Sequence, residues 1–489
     1  MAKCTAVIDI GSNSMRMAVF QKTSRFAFHI IHEVKSSVRL GENAYRNNGE
    51  LQSEAMERAF MALREFLSAA HSFGARKILC VATSALRDAP NANGFISRIR
   101  RELGLQIKVI DGAKEAYLGG LACANLLPRI DAVTVDVGGG STEFTLLKEG
   151  KVEQPFSLNI GTVRLKELFL DRNDLEGAIA YIDEALKTLP PFETEFLIGI
   201  GGTFRALTRA IMKKEAYPLK KLHGYTMDKN RFNAFCDQVL GSGAKKLKSL
   251  FIKPDRFDTI TSGTLILQRV IRHLGISGLM CSGVGVREGL FLSDLLRNAG
   301  GMFPSNFNPS LRYLLDAHST HSDHGNQCAR LAGRIFDLLD VPLKLNGAFR
   351  SELIMAAKLI PIGIGTRYYA YQRHSHYLAS NALDYGLSHP QIALISHLLL
   401  FKKGYPSSSL IPKNGYGPLL PDTATLDILH AILWLSHVLL AGRQNAESVR
   451  VEFTSGILMV YAQQLYLANE QLKNVALPKN LSVALHTSH

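Results

Sequence analysis

The first 130 residues contain short apolar runs and also segments in which apolar residues recur at helical spacing. Continuous or alternating apolar positions predict a strand, a turn and a second strand within residues 3–20. Apolar residues recur at helical spacing over 54–75, and a second helix is predicted over 91–103. Further strands are predicted at 26–33, 77–83 and 106–110, with another helix from about residue 113. This section is therefore predicted to be α/β.

The same scheme begins again near residue 132. Strands are predicted at 133–137, 143–148, 152–159 and 195–200, and a helix at 174–186. The strand at 195–200 runs into Gly201, Gly202, Thr203 and a helix. The repeated order of strand, small-residue turn and strand is a weak internal repeat. It predicts two domains of similar architecture with a cleft between them.

Helical spacing replaces the strand patterns after residue 300. Residues 299–308 are predicted to be a linker, and residues 448–461 to return to strand. The helices expected between them are 310–315, 326–339, 350–359, 389–401 and 426–440. The predicted domains are 1–125, 126–300, 301–445 and a small terminal subdomain at 446–489.

The composition is that of a soluble globular protein. A length of 489 residues predicts about two to four domains. The sequence contains no run of about 18 uninterrupted apolar residues, so no membrane span is predicted. The N-terminus enters a strand almost at once, without a signal-peptide pattern. The 6 cysteines show no metal-binding spacing, which favours reduced thiols and a cytoplasmic protein.

The net charge of +14 favours polyanionic partners. Nucleic acid, an acidic membrane surface and a polyphosphorylated small molecule all remain open on charge alone. Part of the charge is a lysine cluster that either tracks a long anion or is a solvated surface. Its members are Lys213, Lys214, Lys220, Lys221, Lys245, Lys246 and Lys248.

Two strands end in an acid followed by a turn of small residues. Asp9 and Asp136 are the acids, and Glu143 follows the second turn. Carboxylates suit Mg²⁺ or Mn²⁺, and such turns bare N–H groups and hydroxyls for phosphate oxygens. The turn residues are Gly11, Ser12, Asn13 and Ser14 in one case and Gly138, Gly139, Gly140, Ser141 and Thr142 in the other. Either turn alone is also typical of a plain hairpin.

Arg87 and Glu115 are two further candidates for phosphate chemistry. Arg87 follows a buried strand, where its guanidinium could clamp phosphate oxygens, or alternatively pair with Asp88 at the surface. Glu115 opens a helix, where it either complements the helix dipole or acts as general base for an attacking water.

Several ordered segments of the first 300 residues resemble one family. They are Asp9–Arg16, Ala82–Arg87, Gly112–Ala116, Asp136–Glu143, Ser157–Arg164, Gly199–Thr203 and Ser282–Gly289. The chain resembles the exopolyphosphatase and guanosine-pentaphosphate phosphohydrolase (Ppx/GppA) family of the actin-like ATPase superfamily. The resemblance implies two actin-like (ribonuclease H-like) α/β domains with an interdomain cleft, then a helical HD-like domain.

The resemblance also implies roles for individual residues. Glu115 matches the glutamate that activates water, and Arg87 matches a phosphate-binding arginine. The two small-residue turns match the phosphate loops, and Asp136 and Glu143 match acids near the metal. Residues 201–203 fall where actin-like nucleotide enzymes hold adenosine, although in this family they can be a scaffold turn.

The helical part departs from a metal-binding HD domain. Ile360 and Pro361 stand where the resemblance places the His-Asp dyad. A dinuclear metal site and a second catalytic centre are therefore not expected, and a scaffold or substrate-binding role is favoured. The remaining histidines that could act as ligands are His318, His321, His324, His374 and His376.

The leading functional hypothesis is an exopolyphosphatase that hydrolyses the terminal phosphate of inorganic polyphosphate with Mg²⁺ or Mn²⁺. The alternative is hydrolysis of guanosine pentaphosphate to the tetraphosphate, or both activities. An inactive nucleotide-binding module and an ATP-dependent sugar kinase are less favoured, because Glu115 is present and no sugar site is evident. The resemblance further implies a homodimer.

Overall fold

The chain forms two compact units, Met1–Phe307 and Asn308–His489. The structure is a computed structural model that describes residues 3–319, 322–411 and 415–487. The boundary between the units falls within the predicted linker at 299–308. The finer division into four domains stays a prediction, and His321 lies outside the described residues.

The first unit begins with a five-stranded sheet in the order β3-β2-β1-β4-β5. Strands β1 and β2 pair as an antiparallel hairpin, and β4 lies parallel to β1 on its other side. Strand β1 is apolar and buried on both faces, as expected for a central strand covered by helices. The strands are β1 Cys4–Ile10, β2 Met15–Lys22, β3 Phe28–Ser36, β4 Ala75–Ala82 and β5 Lys108–Val109.

A six-stranded sheet follows, in the order β10-β11-β9-β6-β7-β8. Strands β6 and β7 again form an antiparallel hairpin, and β9 lies parallel to β6. The hairpin and its parallel neighbour thus repeat the arrangement of β1, β2 and β4. The strands are β6 Ala132–Val137, β7 Thr142–Lys148, β8 Lys151–Leu158, β9 Phe196–Ile200, β10 Thr226–Asp228 and β11 Gly278–Cys281.

Helices of the first unit pack their apolar faces on these sheets. Leu63 of α1 and Phe95 of α3 join the core of the first sheet, whereas Phe204 of α7 and Ile266 of α10 join that of the second. The helices are α1 Ser53–Ser72, α2 Ser84–Asp88, α3 Ala92–Leu103, α4 Gly112–Leu126, α5 Thr162–Leu168, α6 Leu175–Leu186, α7 Gly201–Lys214, α8 Lys229–Leu240, α9 Ala244–Ser249, α10 Ile260–His273 and α11 Val286–Leu295.

The second unit is a helical bundle that ends in a small sheet. Its core gathers Leu331, Leu353, Ile432 and Trp434, all nearly inaccessible to solvent. Its helices are α12 Pro309–His318, α13 Ser322–Leu339, α14 Arg350–Leu359, α15 Tyr371–Ala382, α16 His389–Leu398, α17 Thr423–Leu439 and α18 Tyr466–Leu472. Its strands are β12 Arg450–Thr454, β13 Ile457–Ala462 and β14 Ser482–Thr487.

The return to strand predicted over 448–461 is confirmed, and the segment forms a hairpin. Strands β12 and β13 pair antiparallel, with Thr454 opposite Ile457. The two residues between them, Ser455 and Gly456, both have positive φ, as a two-residue hairpin turn of the right twist requires.

A helix long and apolar enough to cross a bilayer is absent from the described part of the chain.

Candidate functional site

The two predicted small-residue turns have the same backbone closure. Each links the strands of a hairpin, β1 to β2 and β6 to β7. The Gly11 N–H donates to the Ser14 carbonyl at 3.3 Å, and the Gly138 N–H donates to the Ser141 carbonyl at 2.9 Å. The acids Asp9 and Asp136 occupy the next-to-last positions of β1 and β6. The internal repeat therefore places two equivalent acids beside two equivalent turns.

The two turns approach each other closely. A Cβ atom on Gly139 would lie 2.8 Å from Ser12 Cβ and 3.5 Å from the Asn13 nitrogen. Only glycine allows so close an approach without a shift of one turn. The Ser12 hydroxyl also shares a hydrogen bond of 2.9 Å with the hydroxyl of Ser84, at the start of α2. The turns thus face each other across one narrow cleft.

Most of the predicted site residues line this cleft. Thr83 and Ser84, which follow β4, line it as well. The predicted residues that line it are Asp9, Gly11, Ser12, Asn13, Ser14, Glu115, Asp136, Gly138, Gly139, Ser141 and Glu143. The predictions of their individual roles stay predictions.

Glu115 is held in place by a cap and an ion pair. The Asp111 carboxylate caps α4 by accepting the Lys114 N–H at 2.7 Å, which sets Glu115 in the first turn. The Arg87 guanidinium donates to Glu115 Oε2 at 3.1 Å and to the Ser141 hydroxyl at 3.4 Å. It also contacts Asp88 at 3.3 Å. Arg87 therefore bridges the glutamate and the second turn, set back from the cleft surface.

Two predicted residues of the second turn, Gly140 and Thr142, are not among those that line the cleft. The Thr142 side chain is fully buried, and its hydroxyl donates to the Ile160 carbonyl at 2.6 Å. Gly140 packs under Tyr45, because a Cβ atom there would lie 2.1 Å from the tyrosine oxygen. The Thr142 hydroxyl and the space beside Gly140 are thus already occupied. Both residues therefore support the turn, and their predicted phosphate contact stays a prediction.

Burial raises the pKa values of the cleft carboxyls. The pKa of Glu143 rises from 4.5 to about 8 through burial, against hydrogen bonds from Ser141 and Ser157. The pKa values of Asp9 and Asp136 each rise from 3.8 to about 6 for the same reason, although arginines oppose the rise. Burial and Glu143 also raise the pKa of Glu115, while Arg87 lowers it. A group of carboxyls that bind protons this tightly is suited to bind a metal cation in their place.

The donor set fits a hydrated hard cation. Carboxylate oxygens are what Mg²⁺ and Mn²⁺ prefer, and Mg²⁺ usually keeps several waters and takes one or two carboxylates together with phosphate. Among the described residues, the group of three metal-ligating side chains within 4.8 Å of one another lies in the second unit and not in this cleft. The cleft acids are therefore suited to a cation held partly through water, not to a closed cage.

The structure adds four arginines that sequence reasoning did not assign to the site. They are Arg16 on β2, Arg205 on α7, Arg256 before α10 and Arg287 on α11, and all four line the cleft. Burial lowers the pKa of Arg16 to about 10, and the charges of Arg205 and Arg287 add to this. The predicted lysine cluster is not among the cleft residues. The strongest positive charge at the site thus comes from arginines on separate elements.

Residues 201–203 also belong to the cleft. They begin α7 directly after β9, and Gly201 has φ of +86°, which favours glycine. A Cβ atom on Gly201 would lie 2.4 Å from Asp136 Oδ1, and one on Gly202 would lie 2.6 Å from Arg256 Nη1. The glycines therefore let the helix start close to both a cleft acid and a cleft arginine. The N–H groups of such a helix start suit anions.

Sequence comparisons point to one phosphatase family. The family model of the Ppx/GppA phosphatase family matches residues 18–298. The bifunctional 3-dehydroquinate synthase/phosphatase of Fusobacterium nucleatum subsp. nucleatum is 32% identical over 291 residues, which are 55% of this chain and 43% of that protein. The chain thus spans less than half the length of this relative.

Solved structures show the same likeness. The Aquifex aeolicus member of the Ppx/GppA family is 30% identical, with a TM-score of 0.53 over 61% of this chain and 99% of that one. The exopolyphosphatase of Cytophaga hutchinsonii matches in fold with a TM-score of 0.56 at 24% identity, over 62% of this chain and 99% of that one. The predicted fold class, actin-like α/β domains followed by a helical region, is confirmed.

Proposed function

Because the chain belongs to the Ppx/GppA phosphatase family, we propose that it is a phosphohydrolase that removes the terminal phosphate of inorganic polyphosphate. The observation that carries the proposal is the meeting of two phosphate-loop turns, a capped glutamate and four arginines in one cleft. A polyphosphate carries about one negative charge per phosphate, so several arginines on separate elements match a chain of phosphates. Their contribution should weaken with salt, by analogy with counterion release from nucleic acids.

Glu115 is the proposed general base. A water oxygen attacks the terminal phosphorus, the bond from phosphorus to the bridging oxygen breaks, and the water proton passes to the Glu115 carboxylate. The Arg87 guanidinium fixes the orientation of that carboxylate at 3.1 Å. The N–H groups of the two turns hold the oxygens of the terminal phosphate. These residues thus position the water and the phosphorus for in-line attack.

The proposed cofactor is Mg²⁺ or Mn²⁺. Asp9, Asp136 and Glu143 would hold it, with Glu143 kept in place by the Ser157 hydroxyl at 2.9 Å. Such a cation would neutralise charge on the phosphate oxygens. It would also favour the ionised form of the cleft carboxyls, whose pKa values burial raises.

An alternative substrate is guanosine pentaphosphate. The start of α7 at Gly201–Thr203 lines the cleft, and this is where the resemblance places a nucleoside in actin-like enzymes. The same turns and glutamate would then act on the terminal phosphate of the nucleotide. We further propose a cytoplasmic homodimer, as the resemblance implies, and light scattering of the full chain would measure its mass.

The proposal is tested by phosphate release from long-chain polyphosphate and from guanosine pentaphosphate, each with Mg²⁺ over a range of salt. We expect release from polyphosphate with a KM that rises steeply with salt. Release from the nucleotide alone would replace the proposed substrate with the alternative. Release from neither would contradict the assignment of the cleft as a phosphohydrolase site.

A further inference from the structure

A second cluster of chemically reactive side chains lies inside the helical bundle of the second unit. His324 and Cys328 stand four residues apart on α13, so their side chains share one face of that helix. His437 approaches them from the last turn of α17. Their candidate ligand atoms all lie within 4.8 Å of one another. No step of the proposed phosphate chemistry uses these residues.

The distances fit tetrahedral coordination of one metal ion. His324 Nε2 lies 3.1 Å from His437 Nδ1 and 3.5 Å from Cys328 Sγ. Zinc bonds are about 2.0–2.1 Å to histidine nitrogen and about 2.3 Å to thiolate, so tetrahedral ligand atoms are about 3.3–3.6 Å apart. Both distances from His324 are therefore within a few tenths of an ångström of this spacing, and Cys328 and His437 lie within 4.8 Å of each other.

Tyr371 fixes the orientation of one proposed ligand. Its hydroxyl lies 3.0 Å from His437 Nε2, on the side of the ring opposite the Nδ1 atom that faces His324. Metal-binding histidines commonly make such a hydrogen bond with their second nitrogen, which sets the tautomer and the ring plane. The cluster thus already contains the support expected around a ligand.

A cavity of about 380 Å³ gives access to the cluster. His324, His437 and Tyr371 line it, whereas Cys328 is fully buried. Arg443 and Lys403 line the same cavity, so an ion there would have an open position facing cationic groups. This surrounding suits an anionic fourth ligand that offsets their charge.

The ionisation of the histidines is compatible with coordination. Burial lowers the pKa of His324 to about 4 and that of His437 to about 3, so both imidazoles are neutral at neutral pH. Burial raises the pKa of the Cys328 thiol to about 12. A bound divalent cation would reverse that preference and displace the thiol proton.

We propose that His324, Cys328 and His437 form a mononuclear site for Zn²⁺, with an open fourth position facing the cavity. Binding forms one bond to sulfur and two to nitrogen, and the proton of the Cys328 thiol is released to solvent. This set of two imidazole nitrogens and one thiolate sulfur differs from the carboxylates of the cleft, which suit Mg²⁺. Ile360 and Pro361 line the same cavity, so the site uses other residues than an HD dyad.

Cobalt substitution tests the site on the full chain. Co²⁺ is added to protein freed of metal with a chelator, and the thiolate-to-cobalt charge-transfer band is followed. We expect the band to saturate at one equivalent and to disappear when Zn²⁺ is added. Co²⁺ bound by the cleft carboxylates cannot give this band, so the result does not depend on the phosphatase proposal.

Matched variants assign the ligands. Cys328→Ser should abolish the band and weaken Zn²⁺ binding at least 100-fold, whereas Cys236→Ser, a buried cysteine of the first unit, should change neither. Tyr371→Phe should keep the band and weaken binding about 10–100-fold, as an orienting partner does. A wild-type protein without the band overturns the proposal whether or not Cys328→Ser folds. A band that persists in a folded Cys328→Ser protein overturns it as well.

Discussion

Neutralisation of Glu143 is a perturbation whose direction follows from the burial of this carboxyl. The pKa of this nearly inaccessible carboxyl rises from 4.5 to about 8 on folding. Between these pH values the native state binds a proton that the unfolded chain has released. The free energy of unfolding therefore falls as the pH rises through this interval, and the full loss is reached above about pH 8.

The magnitude follows from the difference between the two pKa values. At 1.36 kcal/mol for each tenfold change, a rise from 4.5 to about 8 corresponds to about 5 kcal/mol. About 3 kcal/mol of this falls between about pH 5.5 and pH 8.5. Asp9 and Asp136, whose pKa values rise to about 6, act in the same direction over a lower interval. A divalent cation should offset this loss, because it stabilises the carboxylates.

The assay is urea unfolding of the wild type and of Glu143→Gln at about pH 5.5 and pH 8.5, with chelator or with excess Mg²⁺. In chelator, the free energy of unfolding should fall by about 3 kcal/mol more in the wild type than in the variant over this pH interval. Mg²⁺ should restore more stability to the wild type at high pH than to the variant, which keeps only Asp9 and Asp136. Glu153→Gln, an exposed glutamate on β8, should behave as the wild type. Equal pH dependence in Glu143→Gln and the wild type would refute the reasoning.

Two further substitutions test the shape and the charge of the cleft. Gly139→Ala puts a Cβ atom 2.8 Å from Ser12 Cβ, so kcat for phosphate release should fall at least tenfold in a folded protein. Gly94→Ala is the control, because its Cβ atom would meet nothing within 4 Å, and it should keep the normal rate. A normal rate in Gly139→Ala would show that the two turns do not act together. Arg256→Ala should raise KM for polyphosphate more than it lowers kcat, and should reduce the slope of log KM against log salt by about one. An unchanged slope would remove Arg256 from the substrate contacts.

The predicted acids and turns were accessible from sequence because their signal is local. An apolar strand that ends in Asp9 or Asp136 and breaks into small residues shows its chemistry within about ten positions. The helix predicted over 350–359 likewise has the bounds that the structure shows. The local sequence pattern was enough to predict these features, because their residues are neighbours both in sequence and in space.

The arginines of the cleft could not be assigned in the same way. Arg205 and Arg256 reach it from α7 and from the turn before α10, and nothing local separates them from surface arginines. One sequence signal could have assigned Arg205 to the site: it follows Gly201 and Gly202 at the start of a helix that comes directly after a strand. Cys328 and His437 were missed for the same reason, because only the packing of α13 on α17 brings them together.

The central claim is that Glu115 activates water on a phosphate held between the two turns, and Glu115→Gln tests it most directly. The amide can still accept the Arg87 hydrogen bond but cannot take a proton. We predict that kcat for phosphate release falls about 10²–10⁴-fold, while the Kd for long-chain polyphosphate stays within about threefold. Glu54→Gln, in the first turn of α1, should leave both values unchanged. A near-normal rate in Glu115→Gln would contradict the account.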